Sequence, residues 1–274
     1  MKLKVMTYNI AGGRDHRGEL PAKTICPEAS AEVIASYAPD VVGLNEIDFN
    51  HPRSNNRNIA GEVAACTGIP YEARFGRATE LGRPGARGSY GNAFLSKHPI
   101  LLSEAIAVPD PEDKSEDAYY ETRGIFRNVV VIEGTEIEVL VTHFGLAKSE
   151  RAESMKLLRK LITERTRPLI LMGDLNVWDH AIRPEWDRFY EIADLYELLT
   201  DTFKYFPDQE ICTFPSRFDM ANLSDREKNG GKGIRIDYIF VSDEFKVDKV
   251  EIPSVRASDH VPYYAELTLD TVKE

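Results

Sequence analysis

Short apolar, β-rich runs recur along this chain, and most of them stop at a polar side chain capable of chemistry. "LKVMTY" (3–8) ends at Asn9, and "DVVGLNEI" (40–47) has Glu46 near its end. "EIEVLVTHF" (136–144) carries His143, and "PLILMGDLN" (168–176) carries Asp174 and Asn176. "IRIDYIFVS" (234–242) encloses Asp237, and Asp259 and His260 precede "YYAELTL" (263–269). Strand termini let a sheet aim several side chains at one point, so this pattern constrains both fold and site.

Helical patterns interrupt the strands. "EASAEVIASY" (28–37) spaces Ala31, Ile34 and Ala35 as a helix does and is stopped by Pro39. "NIAGEVAACTG" (58–68) is a second helix closed by Gly68. "SERAESMKLLRKLITER" (149–165) is the clearest, with Ala152, Met155, Leu158, Leu161 and Ile162 in one apolar stripe. Further strands are expected at "NAFLSK" (92–97), "IFRNVVVI" (125–132) and "VDKVEI" (247–252), and long loops at 76–91, 108–121 and 204–233. The pattern predicts one mixed α/β domain over residues 1–274.

Charge narrows the partners. The 34 basic residues are outnumbered by 45 acidic ones, for a net charge of −11. Such a field repels nucleic acid and anionic membranes, so a phosphate-bearing partner must be captured locally. Arg14, Arg17, Arg83 and Arg87 are scattered through glycine-rich stretches rather than gathered in a tract. Cys26, Cys66 and Cys212 form neither a disulfide framework nor a zinc-ligand spacing, which favours a reducing compartment. No signal-peptide core and no membrane-length apolar stretch is found, so a cytoplasmic protein, a monomer, is expected.

Taken singly, each polar residue has an ordinary structural explanation. Asn9 before glycines suits a turn, Glu46 a solvated strand end, His143 a satisfied core histidine, and Asp174 a cap or turn. Asp237 amid "IRIDYIF" is harder to dismiss, because a buried carboxylate needs a histidine or arginine partner. In order, "TYNI", "NEID", "THF", "GDLN", "RIDYIF" and "SDH" resemble the endonuclease/exonuclease/phosphatase superfamily, the DNase I-like metallohydrolases. The resemblance runs from Leu3 to about Leu269, and "YGNAFLSKHPI" and "ETRG" resemble segments of its bacterial members.

That resemblance implies a four-layer α/β/β/α sandwich, two mixed sheets face to face with helices outside, and phosphate-ester hydrolysis with a divalent cation. Magnesium is the expected cofactor, with manganese a substitute. Magnesium takes oxygen ligands and only one or two carboxylates. Glu46 is therefore expected as primary ligand, with the Asn9 amide oxygen nearby and Asp259 contributing. Asp174 is expected to deprotonate the attacking water, and Asn176, on the same strand face if the segment stays extended, to hold an oxygen. His260, charged through Asp237, and His143 are expected to donate to the phosphate, with Asn92 and Arg123 as further substrate contacts.

Ser258-Asp259-His260 is not a serine triad, since neighbours on an extended chain point to different sides; Ser258 is expected as a turn residue. One departure stands out: many DNA-repair members carry an acidic residue where this chain has Ala11. The favoured function is hydrolysis of a small or lipid-derived phosphodiester or a phosphomonoester. The alternatives are a nuclease, including abasic-site cleavage, and a non-catalytic phospho-ligand binder.

Overall fold

A computed structural model describes residues 1–18, 22, 24–178, 189–205, 212–216 and 234–269 of the chain. Two six-stranded mixed sheets form its body. The first contains β1 (Lys2–Asn9), β2 (Val41–Phe49), β3 (Glu72–Arg83), β4 (Ala86–Ser96), β11 (Phe245–Glu251) and β12 (Tyr263–Leu269), in the order β11-β12-β1-β2-β4-β3. The second contains β5 (Ile100–Ala107), β6 (Gly124–Ile132), β7 (Thr135–His143), β8 (Leu169–Asp174), β9 (Thr200–Asp201) and β10 (Asp237–Val241), in the order β5-β6-β7-β8-β10-β9. Only β1–β2 and β7–β8 run parallel; the other pairs are antiparallel.

The central strands are apolar on both faces because each sheet is covered twice. Between the sheets, Leu3, Val5, Val41, Phe94, Val139, Val141, Ile170, Met172, Ile239 and Val241 form one core. Their alternates face outward: Met6, Tyr8, Val42 and Leu44 pack against α1 (Pro27–Tyr37) and α2 (Ile59–Cys66). Leu140, Leu171, Tyr238 and Phe240 pack against α3 (Lys148–Thr163) and α4 (Ala193–Leu198). The sheets approach closely at Gly43, where an added Cβ would stand 2.6 Å from the Met172 sulfur, and at Gly76, where it would stand 2.3 Å from the Phe126 ring. This is the expected sandwich.

Three expectations change. Residues 76–91 are not a loop: they belong to the β3–β4 hairpin, whose ladder reaches Arg83↔Ala86. Its many glycines suggested loop, but it is a paired edge ribbon. The apolar stripe of α3 omits Ala152, which is exposed; buried Arg151 lies beside the stripe instead, with its guanidinium bound to Glu191 and to the Gly145 and Leu146 carbonyls. β5 gave no sequence signal, since most of its side chains are exposed on an edge. Residues 108–121 are irregular, as expected. Of 204–233, only 204, 205 and 212–216 are described; the remainder lies outside the described residues. No helix among the described residues is long and apolar enough to cross a membrane, and no disulfide joins the three cysteines among the described residues.

Candidate active site

The strand register assembles the site. His143 pairs with Asp174 across β7–β8, and Asp174 with Asp237 across β8–β10, so three strands set these residues side by side. Each continues the inward-facing alternation of its strand: Val139–Val141–His143, Ile170–Met172–Asp174, and Asp237–Ile239–Val241. On the facing sheet Asn9 continues Leu3, Val5 and Thr7. One end of the intersheet layer thus changes from apolar to polar within a single row. The glycine of "GDLN" is required there: Gly173 has φ 145°, and an added Cβ would lie 1.8 Å from the Thr142 carbonyl oxygen.

Glu46 arrives differently. The β2–β4 ladder shifts register between Leu44 and Ile47, and Glu46 sits in that bulge at φ 59°, a left-handed conformation rare for a side-chain-bearing residue. The bulge swings the carboxylate off the strand face toward Asn9, whose Nδ2 donates to Glu46 Oε1 at 3.0 Å and to Asp174 Oδ2 at 3.1 Å. Asn45 ties the two sheets beside it. Its Oδ1 accepts the Asp174 N–H (3.0 Å), and its Nδ2 donates to the Thr142 carbonyl and to Asn92 Oδ1, both at 2.9 Å.

Charge is distributed unequally. Asp237 Oδ2 meets His260 Nδ1 at 2.9 Å, and His260 Nε2 lies 3.7 Å from Asp174 Oδ2. Burial alone would lower the pKa of His260, but Asp237, Asp174 and Asp259 outweigh it and push it up to about 10. Burial, then Asp237, raises Asp174 to about 7. His143 goes the other way: burial and then the charges of Arg123 and His260 hold it well below the usual histidine range. Ligand atoms of Asp174, Asp237 and His260 lie within 4.8 Å of one another, but the imidazolium already supplies the positive charge of that trio.

Several expected contacts are differently employed. The Asn9 amide oxygen accepts the Ala11 N–H (3.1 Å), while its NH2 group faces Glu46 and Asp174. Asn92 is buried and spent on the framework, donating to the Gly124 carbonyl (3.0 Å) while accepting from Asn45. Its second N–H faces the Val141 carbonyl (3.4 Å), so both amide protons are used within the protein. The strand ends at Asp174, so Asn176 does not share its face by extension; it bends back at φ 49°, its N–H donating to Asp174 Oδ1 (2.9 Å) and its Nδ2 to the Phe144 carbonyl (2.9 Å). Arg123 is buried, with Nη1 engaged by Glu121 (2.6 Å) and His143 (3.3 Å). Ser258 is a buried tie, donating to the Asn9 carbonyl at 2.9 Å.

Sequence reasoning missed Asn45, Thr213 and Phe214. Thr213 Oγ1 accepts from the Ile236 and Asp237 N–H groups (3.0 and 3.2 Å), and the Phe214 ring lies 4.9 Å from that of His260. A polar residue inside "VVGLNEI" was the one available signal for Asn45. Thr213 and Phe214 had none, because their roles depend on where the chain returns.

Glu46 and Asp259 fit a hard divalent cation. Burial and then the charge of Asp259 raise the Glu46 pKa, and the hydrogen bond to it inside the cluster is from the neutral Asn9 amide. Carboxylate oxygens are the donors magnesium prefers, and Glu46 and Asp259 are the acidic groups of the site outside the Asp174–Asp237–His260 trio.

The His260–Asp237 pair carries a pH prediction. The folded pKa of His260, about 10, exceeds its ordinary 6.5, so its stabilisation is complete below pH 6.5 and lost as pH rises through 10. The urea midpoint of chelator-treated protein should fall across that window, and His260→Gln should flatten the fall. A parallel decline in the variant would place the titration elsewhere.

Residues 6–260 match the family model described as Endonuclease/Exonuclease/phosphatase family. The chain is 24% identical over 295 aligned residues to exodeoxyribonuclease III of Haemophilus influenzae, covering 96% of this chain and 99% of that one. Among solved structures, mannosyl-6-phosphatase of Bacteroides thetaiotaomicron is similar with TM-score 0.68 at 20% identity, over 97% of this chain and 100% of that one. D. rerio TDP2 complexed with a single-strand DNA product gives TM-score 0.67 at 18% identity, over 97% and 99%.

Proposed function

The chain belongs to the endonuclease/exonuclease/phosphatase family of phosphoester hydrolases, and from that membership we propose that it cleaves a small or lipid-derived phosphodiester or a phosphomonoester. The observation that carries this reading is the setting of Asp174. Its carboxyl, raised to about 7, lies 3.1 Å from Asn9 Nδ2, 3.4 Å from His143 Nε2 and 3.7 Å from His260 Nε2. A base poised near neutrality, with donors converging on it, suits abstraction of a proton from water beside a phosphate.

Asp174 takes the proton as the water oxygen bonds to phosphorus and the ester P–O bond opposite breaks. The charged His260, held by Asp237, and Asn176 steady the phosphate oxygens, and His143 donates from another side. Glu46 and Asp259 would hold magnesium or manganese, which when bound supplies Lewis-acid neutralisation of the phosphate charge.

Charge supports a small substrate over a polynucleotide. Most described arginines are balanced by acidic neighbours: Arg17 by Asp15 and Glu32, Arg53 by Asp48, Arg57 by Glu62, Arg77 by Glu80. Arg235 is buried against Asp201 and so adds no positive charge to the surface. Mannosyl-6-phosphatase shows the fold serving a phosphomonoester, while TDP2 holds DNA on it.

The test is hydrolysis of aryl phosphodiesters, aryl phosphomonoesters and DNA or RNA oligonucleotides, each with magnesium, manganese or chelator. Aryl ester turnover that needs the cation is expected. Glu46→Gln should raise the magnesium needed for half-maximal rate at least about 10-fold. Far more efficient cleavage of oligonucleotides, falling steeply with salt, would overturn the small-ester reading.

A further inference from the structure

Arg123 makes direct contact with a histidine of the site. Its guanidinium is buried, its Nη1 lies 2.6 Å from Glu121 Oε2 and 3.3 Å from His143 Nδ1, and Nε has no acceptor. Glu121 is itself fixed, because its backbone N–H donates to Glu150 Oε1 at 2.7 Å. Glu150 lies in the first turn of α3 and also accepts the Ala147 N–H at 3.3 Å. A chain of contacts thus runs from the helix through the Glu121 segment to one nitrogen of a site histidine.

A guanidinium only donates, so the nitrogen it faces must accept. The other nitrogen, Nε2, has the Asp174 carboxylate at 3.4 Å and the Asn176 amide nitrogen at 3.2 Å. Both tautomers leave one donor facing an N–H. A proton on Nδ1 would point at a buried cation, whereas a proton on Nε2 meets only a neutral amide already donating to the Phe144 carbonyl. The charge-assisted contacts decide, since they are roughly twice as strong as neutral ones.

We propose that Arg123, seated on Glu121, is a positioning residue that fixes His143 as the Nε2–H tautomer, so that its one proton faces Asp174 and the phosphate. The two site histidines are then complementary: Asp237 holds His260 as a cation, and Arg123 holds His143 as a neutral donor. The consequence for catalysis rests on the function proposed above. The tautomer itself does not, and it can be read in the free protein.

The experiment combines ¹⁵N-histidine NMR of the metal-free protein with kinetics on an aryl phosphate. The wild-type His143 ring should show a protonated Nε2 and an unprotonated Nδ1. Arg123→Met should lose that signature and lower kcat about 10- to 100-fold, with KM changed less than about 3-fold, a smaller shift than loss of a direct substrate contact gives. Arg123→Lys, which still donates, should recover much of both. Glu121→Gln should weaken the signature without touching either partner's chemistry, which keeps the test open if Arg123→Met folds poorly. An unchanged ¹⁵N pattern in folded Arg123→Met, or a large rise in KM at constant kcat, would overturn the proposal in favour of direct substrate binding. If no aryl phosphate is turned over but the ¹⁵N results hold, the assigned substrate falls and the tautomer assignment stands.

Discussion

Replacing Asp174 by asparagine should lower kcat on an aryl phosphate by about 10²- to 10⁴-fold, the range over which positioned general bases contribute. Size and polarity are preserved, but an amide cannot take a proton from water. The fold should survive. One oxygen of Asp174 accepts from Asn9 and the other from the Asn176 N–H, so asparagine forfeits one of two hydrogen bonds, about 1 kcal/mol. Against that loss, the repulsion between Asp174 and Asp237, one of the causes of the raised Asp174 pKa, disappears. Denaturation midpoints close to wild type with activity nearly gone would separate the chemical role from the structural one. Activity above about a tenth of wild type would put the base elsewhere.

The largest stability effect should come from a pair outside the reaction. Asp201 and Arg235 are both buried and joined by two hydrogen bonds, of 3.0 and 2.7 Å. The guanidinium also lies 4.2 Å from the centre of the Tyr238 ring and 5.1 Å from that of Phe203. Asp201→Ala should cost about 3–5 kcal/mol, because it strands a buried cation that cannot shed its proton. Replacing both partners with apolar residues, as in Asp201→Leu with Arg235→Met, should recover most of the loss. Urea denaturation of the two single variants and the double variant measures the coupling directly. Equal, additive losses would mean that the pair contributes packing rather than charge. Since Arg235 lies two residues from Asp237, the single variants should also weaken catalysis.

The sequence revealed the strands because alternation and apolar runs are local signals. It revealed Asp174, Asp237, His143 and His260 because charged residues inside or at the ends of such runs are conspicuous. It did not reveal what aims them. Glu46 depends on a bulge that exists only when β2 pairs with β4, and Asn45 acts on Asp174, 129 residues away. Asn92 and Arg123 had the right chemistry for substrate, but the Asn92 amide protons and Arg123 Nη1 are engaged within the protein. Loops were misjudged where glycine density outweighed pairing, as in the β3–β4 hairpin. Local pattern identifies the parts, whereas partners distant in the chain decide their employment.

The bond from Ser258 to the Asn9 carbonyl joins positions 249 residues apart, and β12 closes on β1 beside it. On the ribosome Ser258 is therefore made long after Asn9. At about 5–20 residues per second, Asn9 waits on the order of 10–50 s for its partner to emerge. Until then the first sheet lacks its β12 neighbour and the pocket lacks its imidazolium. Until His260 and β12 have been made, Asp174 therefore lacks the imidazole that faces it and Asn9 lacks its Ser258 tie, so the site cannot be assembled strand by strand from its first sheet.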